Sequence, residues 1–173
     1  MEIIQLKSYI RDIPDFPQPG ILFRDITPLL QDAGAFRYTI GLLVDRYKSI
    51  DLDVIVAIES RGFLFGAPLA FELGKPLVPV RKPGKLPSHT HREEYSLEYG
   101  NNAMEIHVDG ILPGQKVLVL DDLLATGGTL AASARLVEKS GGLVSGIGVV
   151  IELTELDGRK VLDGYDVFSI LQY

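Results

Sequence analysis

One segment near the middle of the chain constrains the fold more than any other. Residues 117–120 are four aliphatic residues that predict a buried strand, and two adjacent carboxylates, Asp121 and Asp122, follow directly. A loop of small residues comes next, and a helix is expected to begin at about Thr129. Ligands of open parallel sheets bind beyond the carboxyl ends of the strands. The segment therefore predicts an α/β fold with a binding site at one edge of a mostly parallel sheet.

The loop after the acid pair has the composition of a phosphate-binding loop. It consists of Ala125, Thr126, Gly127, Gly128 and Thr129. Its backbone N–H groups, its two hydroxyls and the positive end of the helix dipole suit a phosphate, and its glycines let the main chain approach the anion. The two carboxylates repel such a phosphate, so we expect them to bind neutral hydroxyls, such as those of a ribose whose 5-phosphate occupies the loop. For the loop alone, an ordinary strand–turn–helix corner is the better interpretation.

A second strand–turn–helix corner precedes the first along the chain. Glu59, Ser60 and Arg61 follow a predicted strand at 54–58 and lead into a predicted helix at 62–73. The backbone amides of this turn and the guanidinium of Arg61 can bind another anion. Two strand ends that each bind an anion predict one substrate with phosphates at both ends.

Positive charge is concentrated in one short stretch of an acidic chain. The net charge is −6, yet Arg81, Lys82, Lys85 and Arg92 lie in a stretch, 81–92, that contains no acid. This stretch fits the binding of a small, highly charged anion, although from charge alone a solvated loop is an equally good interpretation. The acidic balance of the chain argues against broad nucleic-acid binding.

Helical and strand periodicities alternate along the chain, which predicts parallel strands joined by right-handed helical crossovers. We expect helices at 1–11, 35–49, 62–73 and 129–140, and strands at 54–58, 77–80, 117–120, 144–152 and 165–171. Alternating residues at 95–99 and 103–108, separated by a Gly-Asn-Asn turn, predict an antiparallel hairpin inserted between the parallel strands.

Length and composition favour a single soluble domain. The chain has 173 residues, of which 46% are hydrophobic and 23% charged, and it contains no cysteine. Those values are typical of a globular protein with one core, and the absence of cysteine excludes disulfides and thiol chemistry. No apolar run approaches the ~18 residues of a membrane span, so we expect a cytoplasmic protein without membrane partners. His89, His91 and His107 lack further clustered ligands, which disfavours a zinc site.

The sequence Asp-Asp-Leu-Leu-Ala-Thr-Gly-Gly-Thr at 121–129 closely resembles the 5-phosphoribosyl-1-diphosphate (PRPP) signature of type I phosphoribosyltransferases, in the form typical of the adenine branch. Other motifs follow the order of that family over nearly the whole chain, ending with Ile-Glu-Leu-Thr-Glu-Leu-Asp-Gly-Arg at 151–159. The resemblance implies the type I phosphoribosyltransferase fold, with a mostly parallel central sheet flanked by helices. It also implies a single domain, 1–173, with an N-terminal hood at 1–34 and a hairpin lid at about 82–107.

The same resemblance implies an activity. A member of the adenine branch transfers the 5-phosphoribosyl group from PRPP to N9 of adenine, which gives AMP and diphosphate. Mg²⁺ would arrive bound to PRPP rather than at a dedicated protein site, and the protein would be a homodimer. A phosphoribosyltransferase that acts on another base, and a PRPP-binding regulatory protein, are the alternatives.

Carried over position by position, the resemblance assigns roles to individual residues. For the diphosphate it implies Glu59, Ser60, Arg61, Arg81 and Lys85, with a cis peptide bond between Glu59 and Ser60. For the ribose and its 5-phosphate it implies Asp121, Asp122 and the loop 125–129. For adenine it implies Leu22, Phe23, Arg24 and Leu123. It makes Arg61 and Glu98 catalytic, with Glu98 as the acid/base residue that faces adenine, and Tyr99 a lid residue that closes over the site.

Overall fold

The computed structural model describes residues 2–96 and 101–173. Within them, the strands are β1 (Arg11–Pro14), β2 (Leu22–Asp25), β3 (Val54–Ile58), β4 (Leu77–Val80), β5 (Thr90–Ser96), β6 (Asn101–His107), β7 (Lys116–Leu124), β8 (Leu143–Glu152) and β9 (Val167–Gln172). The helices are α1 (Ile3–Leu6), α2 (Thr27–Gln31), α3 (Ala33–Tyr47), α4 (Gly62–Leu73) and α5 (Gly128–Lys139). Short 3₁₀ helices occupy Lys7–Tyr9, Thr154–Leu156 and Gly158–Leu162. None of the helices described is long and apolar enough to cross a membrane.

A parallel sheet of five strands forms the centre of the described structure. Its order is β4-β3-β7-β8-β9, and each neighbouring pair runs parallel. The chain passes from β3 through α4 to β4 on one side, and from β7 through α5 to β8 on the other. The connection after β3 and the connection after β7 depart towards opposite edges of the sheet. This divergence opens a crevice beyond the carboxyl ends of β3 and β7.

The central strands are aliphatic because helices cover both faces of the sheet. Side chains alternate along a strand. Ile55 of β3 therefore lies in one core with Phe65 of α4, whereas its neighbour Val56 lies in a second core with Leu136 of α5. This arrangement confirms the α/β fold class with a mostly parallel central sheet flanked by helices.

The helix expected at 1–11 is wrong beyond Tyr9. The α-helix ends at Leu6, a 3₁₀ turn follows, and Arg11 begins β1, which pairs antiparallel with β2. Within that pair, Arg11 Nη2 lies 2.6 Å from Asp25 Oδ2. The pairing of β1 with a strand further along the chain thus overrides the helical spacing of the local apolar residues.

The strand expected to end at residue 120 is also wrong in extent. β7 continues to Leu124, because Leu123 pairs with Ile151 of β8 and Leu124 pairs with Glu152. Asp121 and Asp122 therefore lie inside the last part of the strand rather than after it. The extension holds both acid residues in a fixed backbone conformation at the edge of the crevice.

The inserted hairpin is antiparallel, as its alternating sequence predicts. β5 pairs with β6 from Thr90 opposite His107 to Ser96 opposite Asn101. Its first strand begins at Thr90, earlier than the expected position, because the polar residues there also find partners in β6. Residues 97–100, which include Glu98 and Tyr99, lie outside the described part of the chain.

Candidate active site

A cavity of about 770 Å³ lies at the crevice beyond β3 and β7. Its walls come from β2, the ends of β3 and β4, the β5–β6 hairpin, and β7 with the loop that follows. The lining residues are Phe23, Glu59, Ser60, Arg61, Arg81, Lys82, Lys85, Tyr95, Asn102, Met104, Asp121, Asp122, Leu123, Ala125, Thr126, Gly127, Gly128, Thr129 and Leu130. The structure thus brings together in one cavity the residues predicted for the diphosphate, the ribose and the 5-phosphate.

The turn after β3 and the segment after β4 form the basic wall of this cavity. The peptide bond between Glu59 and Ser60 is cis, as the resemblance implies. Glu59 Oε2 lies 2.7 Å from Arg81 Nε, and Glu59 Oε1 accepts a hydrogen bond from the Lys82 backbone N–H at 2.7 Å. Burial opposes ionisation, but these two partners lower the pKa of Glu59 below its usual value. Glu59 therefore stays ionised and positions Arg81, and it offers no anion-binding group itself.

The acid pair of β7 faces the turn after β3. Asp122 is 4% exposed, and its Oδ2 lies 2.9 Å from Arg61 Nε. The contact is an ion pair, and no geometrically acceptable hydrogen bond from the described residues reaches the buried Oδ2. Buried acceptors are normally paired, and an orphaned one is costly unless a ligand satisfies it. This oxygen therefore fits the hydroxyl of a bound sugar.

Burial also shifts the titration of both carboxyl groups. It raises the pKa of Asp121 well above its usual value, and the neighbouring charge of Asp122 raises it further. Burial raises the pKa of Asp122 as well, and the Arg61 guanidinium opposes that shift. The Asp122 N–H donates to Asp121 Oδ1 at 2.8 Å, which fixes the first side chain against the strand.

The loop 125–129 turns sharply from β7 into α5. Gly127 has a φ of 85°, a left-handed conformation that favours glycine, and α5 begins at Gly128. The ring of Tyr95 covers Gly128 so closely that a Cβ there would lie 2.9 Å from the ring atom Cδ2. The Tyr95 hydroxyl lies 2.9 Å from Thr129 Oγ1 and forms a hydrogen bond with it. The loop is thus shaped for an anion at the helix N-terminus, with an aromatic residue over it.

Phe23 and Leu123 supply apolar surface to the cavity. The Phe23 ring packs edge-to-face on Phe16, with centroids 5.1 Å apart, and the Arg61 guanidinium lies 5.2 Å from its centroid. Leu22 and Arg24 do not line the cavity, because side chains alternate along β2 and theirs point away from that of Phe23.

Arg24 instead has partners in the N-terminal and C-terminal segments of the chain. Its guanidinium forms an ion pair with Asp12 and lies 4.0 Å from the ring centroid of Tyr173. The side chain therefore ties β2 to β1 and to the end of the sheet, and it does not reach the cavity.

Comparison with known proteins assigns the chain to a family. A model of the phosphoribosyl transferase domain matches residues 30–172. The adenine phosphoribosyltransferase of Thermoanaerobacter sp. (strain X514) is 57% identical over 173 residues, which is 100% of both chains. This chain belongs to the adenine phosphoribosyltransferase family.

Solved structures of adenine phosphoribosyltransferases agree with that assignment. The enzyme from Thermoanaerobacter pseudethanolicus is 56% identical, with a TM-score of 0.97 over 99% of this chain and 100% of that one. The enzyme from Saccharomyces cerevisiae, solved with D-2,5-dideoxy-2,5-imino-altritol 1,6-bisphosphate and adenine, is 40% identical, with a TM-score of 0.92 over 98% of both chains. These matches confirm the family, the type I phosphoribosyltransferase fold and the enzyme class predicted from the sequence.

The cavity of this adenine phosphoribosyltransferase family member also contains residues to which the sequence analysis gave no role. They are Tyr95, Asn102, Met104 and Leu130, and the structure also places Lys82 of the basic stretch 81–92 in the cavity wall. Tyr95 lies opposite Asn102 in the hairpin register, and Met104 is two residues further along β6. The period-two alternation of β6 is a signal that could have identified Asn102 and Met104 together. No group of three or more acidic or histidine side chains able to hold a metal ion occurs in the part of the chain that the structure describes.

Proposed function

We propose that this protein transfers the 5-phosphoribosyl group of PRPP to N9 of adenine and releases AMP and diphosphate. One observation carries the proposal: a single cavity contains the loop 125–129, a buried acceptor on Asp122 without a donor, and a basic wall. PRPP has matching groups, namely a 5-phosphate, ribose hydroxyls and a 1-diphosphate. The proposed acceptor base rests on the relatives, including the Saccharomyces cerevisiae enzyme solved with adenine and the Giardia lamblia enzyme solved with 9-deazaadenine.

The proposed binding mode follows the chemistry of each wall. The backbone N–H groups and hydroxyls of the loop 125–129 bind the 5-phosphate, and the acid pair accepts hydrogen bonds from the ribose hydroxyls. Arg61, Arg81 and Lys85 hold the diphosphate by charge-assisted hydrogen bonds. Ser60 lies next to Arg61 in the turn after β3. Mg²⁺ enters as part of the PRPP substrate and balances its charge.

The proposed reaction exchanges one bond at C1 of the ribose for another. The bond from N9 of adenine to C1 forms as the bond from C1 to the diphosphate oxygen breaks. Positive charge develops on the ribose in this step, so the protein's main tasks are to position both substrates and to stabilise the departing diphosphate. By resemblance, Glu98 handles the N9 proton and Tyr99 closes over the site with the hairpin lid at 82–107.

Phe23 and Leu123 are proposed to hold the flat, uncharged base between them, since apolar walls with few polar contacts suit such a ligand. Leu22 and Arg24 were assigned to the same role by resemblance. Their side chains lie outside the cavity wall, so any contribution they make to adenine binding must come from the backbone of the hood segment 1–34.

We further propose that the protein is a cytoplasmic homodimer with one domain per chain. Leu64, Ala67 and Phe71 form an exposed apolar stripe along α4, and Phe71 is 84% exposed. An apolar stripe on the outer face of a helix that already packs on the sheet fits a contact between protein chains. The proposed cytoplasmic location rests on the composition of the sequence, in which no apolar run approaches the ~18 residues of a membrane span.

A base-competition assay tests the reaction. Purified protein is incubated with PRPP and Mg²⁺, and adenine, hypoxanthine, guanine and xanthine are offered in separate reactions. The proposal requires AMP and diphosphate from adenine, with little product from the other bases. Product from a different base would leave the proposed PRPP site intact and would overturn adenine as the proposed acceptor. PRPP binding without any product would favour a regulatory protein.

A further inference from the structure

The segment between β8 and β9 touches the loop 125–129 from outside the cavity. Gly158 lies so close to the loop that a Cβ there would lie 2.2 Å from the Ala125 carbonyl oxygen and 2.7 Å from Leu124 Cδ1. A Cβ on Gly127 would in turn lie 2.5 Å from the Gly158 carbonyl oxygen. Neither glycine can accept a methyl group without a shift of backbone atoms. The two backbones are therefore in direct contact, and each limits the position of the other.

This contact matters because of how the loop recognises an anion. The five loop residues carry no charged side chain, so their affinity for phosphate comes from backbone N–H groups, two hydroxyls and the helix dipole. Hydrogen bonds weaken steeply when their angles deteriorate. Whatever fixes the loop backbone therefore fixes its affinity for phosphate.

Arg159, the next residue, anchors Gly158 to the end of the sheet. Its Nε and Nη2 donate to the two carboxylate oxygens of Glu152 at 2.6 and 2.8 Å, and its Nη1 donates to the Val167 carbonyl oxygen at 2.9 Å. Glu152 is the last residue of β8, is 4% exposed, and also accepts hydrogen bonds from Ser169 Oγ at 2.6 Å and Gln172 Nε2 at 3.1 Å.

The Arg159 hydrogen bonds are the main cause that lowers the pKa of Glu152 to about 2, and Ser169 and Gln172 lower it further against the opposing effect of burial. The carboxylate is thus ionised at neutral pH, and both of its oxygens accept hydrogen bonds. Bidentate pairs of this kind add geometric specificity as well as energy. They hold the segment at Gly158 in one orientation relative to β8 and β9.

We propose that Gly158 and Arg159 are positioning residues for the 5-phosphate: the Arg159–Glu152 pair presses the backbone of Gly158 against the loop 125–129 and sets the orientation of the loop N–H groups. The inference rests on the proposed function for the identity of the ligand. It extends that function to a segment that lies outside the cavity.

Direct binding of two probes separates this role from general destabilisation. Ribose 5-phosphate reports the loop, and inorganic diphosphate with Mg²⁺ reports the basic wall. Calorimetry is run on the wild type, Gly158→Ala and Arg159→Lys, with Lys160→Ala as the control. Lys160 is adjacent and exposed, and it pairs only with Asp157 among the described residues, at 2.6 Å. Melting temperatures of all four proteins are measured in parallel.

We expect Gly158→Ala to weaken ribose 5-phosphate binding at least ~10-fold, and Arg159→Lys, which keeps the charge but loses the bidentate geometry, ~3–10-fold. The affinity of every variant for diphosphate should stay within twofold of the wild-type value. The affinity of Lys160→Ala for ribose 5-phosphate should do the same. If Gly158→Ala fails to fold, Arg159→Lys carries the test. Unchanged ribose 5-phosphate affinity, or an equal loss for both probes, overturns the positioning role. Because these are binding measurements, their outcome is separate from any failure of the adenine assay.

Discussion

At the scale of single residues, burial of Asp121 and Asp122 disfavours the ionised carboxylates that the proposed contacts with ribose use. Both carboxyl groups have a pKa raised above the usual value, chiefly by burial. Their ionised forms are therefore disfavoured in the folded state, and this destabilisation is absent below about pH 4 and grows as the pH rises towards the folded pKa. The fold keeps two costly carboxylates side by side, a pattern typical of functional sites.

Asp121→Asn should therefore raise the stability of the protein and lower its activity. At pH 7 the variant should melt at a higher temperature than the wild type, and the difference should shrink towards pH 4 as the wild type becomes protonated. A hydrogen bond to a charged group contributes about 1.5–3 kcal/mol, so kcat/KM for PRPP should fall roughly 10- to 100-fold. Calorimetric melts across this pH range and steady-state kinetics test both parts. Asp109→Asn, at an exposed aspartate, is the control; equal melting temperatures of Asp121→Asn and wild type at pH 7 would contradict the argument.

Most of the cavity residues could be predicted from short motifs, but their mutual contacts could not. Asp121, Asp122 and the loop 125–129 are contiguous in sequence, so local chemistry was sufficient to group them. The Arg61–Asp122 pair depends on β3 lying next to β7, which no local pattern encodes. Leu22 and Arg24 were grouped with Phe23 by resemblance, whereas the period of two along a strand separates their side chains.

At the scale of elements, the β5–β6 hairpin is attached along one side of α5. Glu93 Oε1 lies 2.7 Å from Arg135 Nε, and Lys139 Nζ donates to the Arg92 carbonyl oxygen at 3.0 Å. Tyr95 forms the third contact, at Thr129 in the first turn of the helix. In the proposed binding mode the 5-phosphate accepts a hydrogen bond from the Thr129 hydroxyl, and the Tyr95 hydroxyl then donates to Thr129. The Tyr95–Thr129 hydrogen bond links the hairpin to the loop 125–129, and in the proposed binding mode it continues to the 5-phosphate.

Tyr95→Phe tests that link, since it keeps the ring over Gly128 and removes the hydroxyl. Loss of a hydrogen bond of about 1 kcal/mol should raise the KM for PRPP roughly fivefold and leave the KM for adenine within twofold. Tyr165→Phe is a matched control, because the Tyr165 hydroxyl donates to Glu138 at 2.8 Å near the other end of the same helix. An unchanged KM for PRPP in Tyr95→Phe, or an equal rise in both variants, would contradict the proposed chain.

Elements whose ends carry strong local sequence signals matched their predicted positions. α4 spans Gly62–Leu73 and ends at Gly74, which has a φ of 62°, so a left-handed cap marked the boundary in the sequence. β3 and β4 also begin and end where expected. The strand β1 and the boundaries of β5 and β7 were missed because pairing partners elsewhere in the chain set them, and such pairing overrides local propensity.

At the scale of the whole molecule, the order of the strands converts separate motifs into one site. β3 and β7 are parallel neighbours, and the chain continues from them towards opposite edges of the sheet, so the two strand–turn–helix corners lie side by side although the chain between them includes β4 and the whole hairpin. The sequence predicted a parallel sheet but no strand order, because order depends on which faces of the helices and strands pack together. α4 packs on one face of this sheet and leaves its outer stripe exposed.

Phe71→Glu tests whether that stripe forms the proposed dimer contact. Burial of a large aromatic side chain at an interface commonly contributes 2 kcal/mol or more, and a glutamate there adds the cost of burying a charge. The variant should therefore dissociate with a constant at least ~30-fold higher than that of the wild type, as measured by sedimentation equilibrium. Leu112→Glu is the control, because Leu112 is 62% exposed but lies in the turn before β7, and it should leave the dimer intact. Phe71→Glu should keep the melting profile of a folded chain, since Phe71 contacts solvent rather than the core. A wild type that sediments as a monomer, or a Phe71→Glu protein that remains dimeric, would exclude the α4 stripe as the interface.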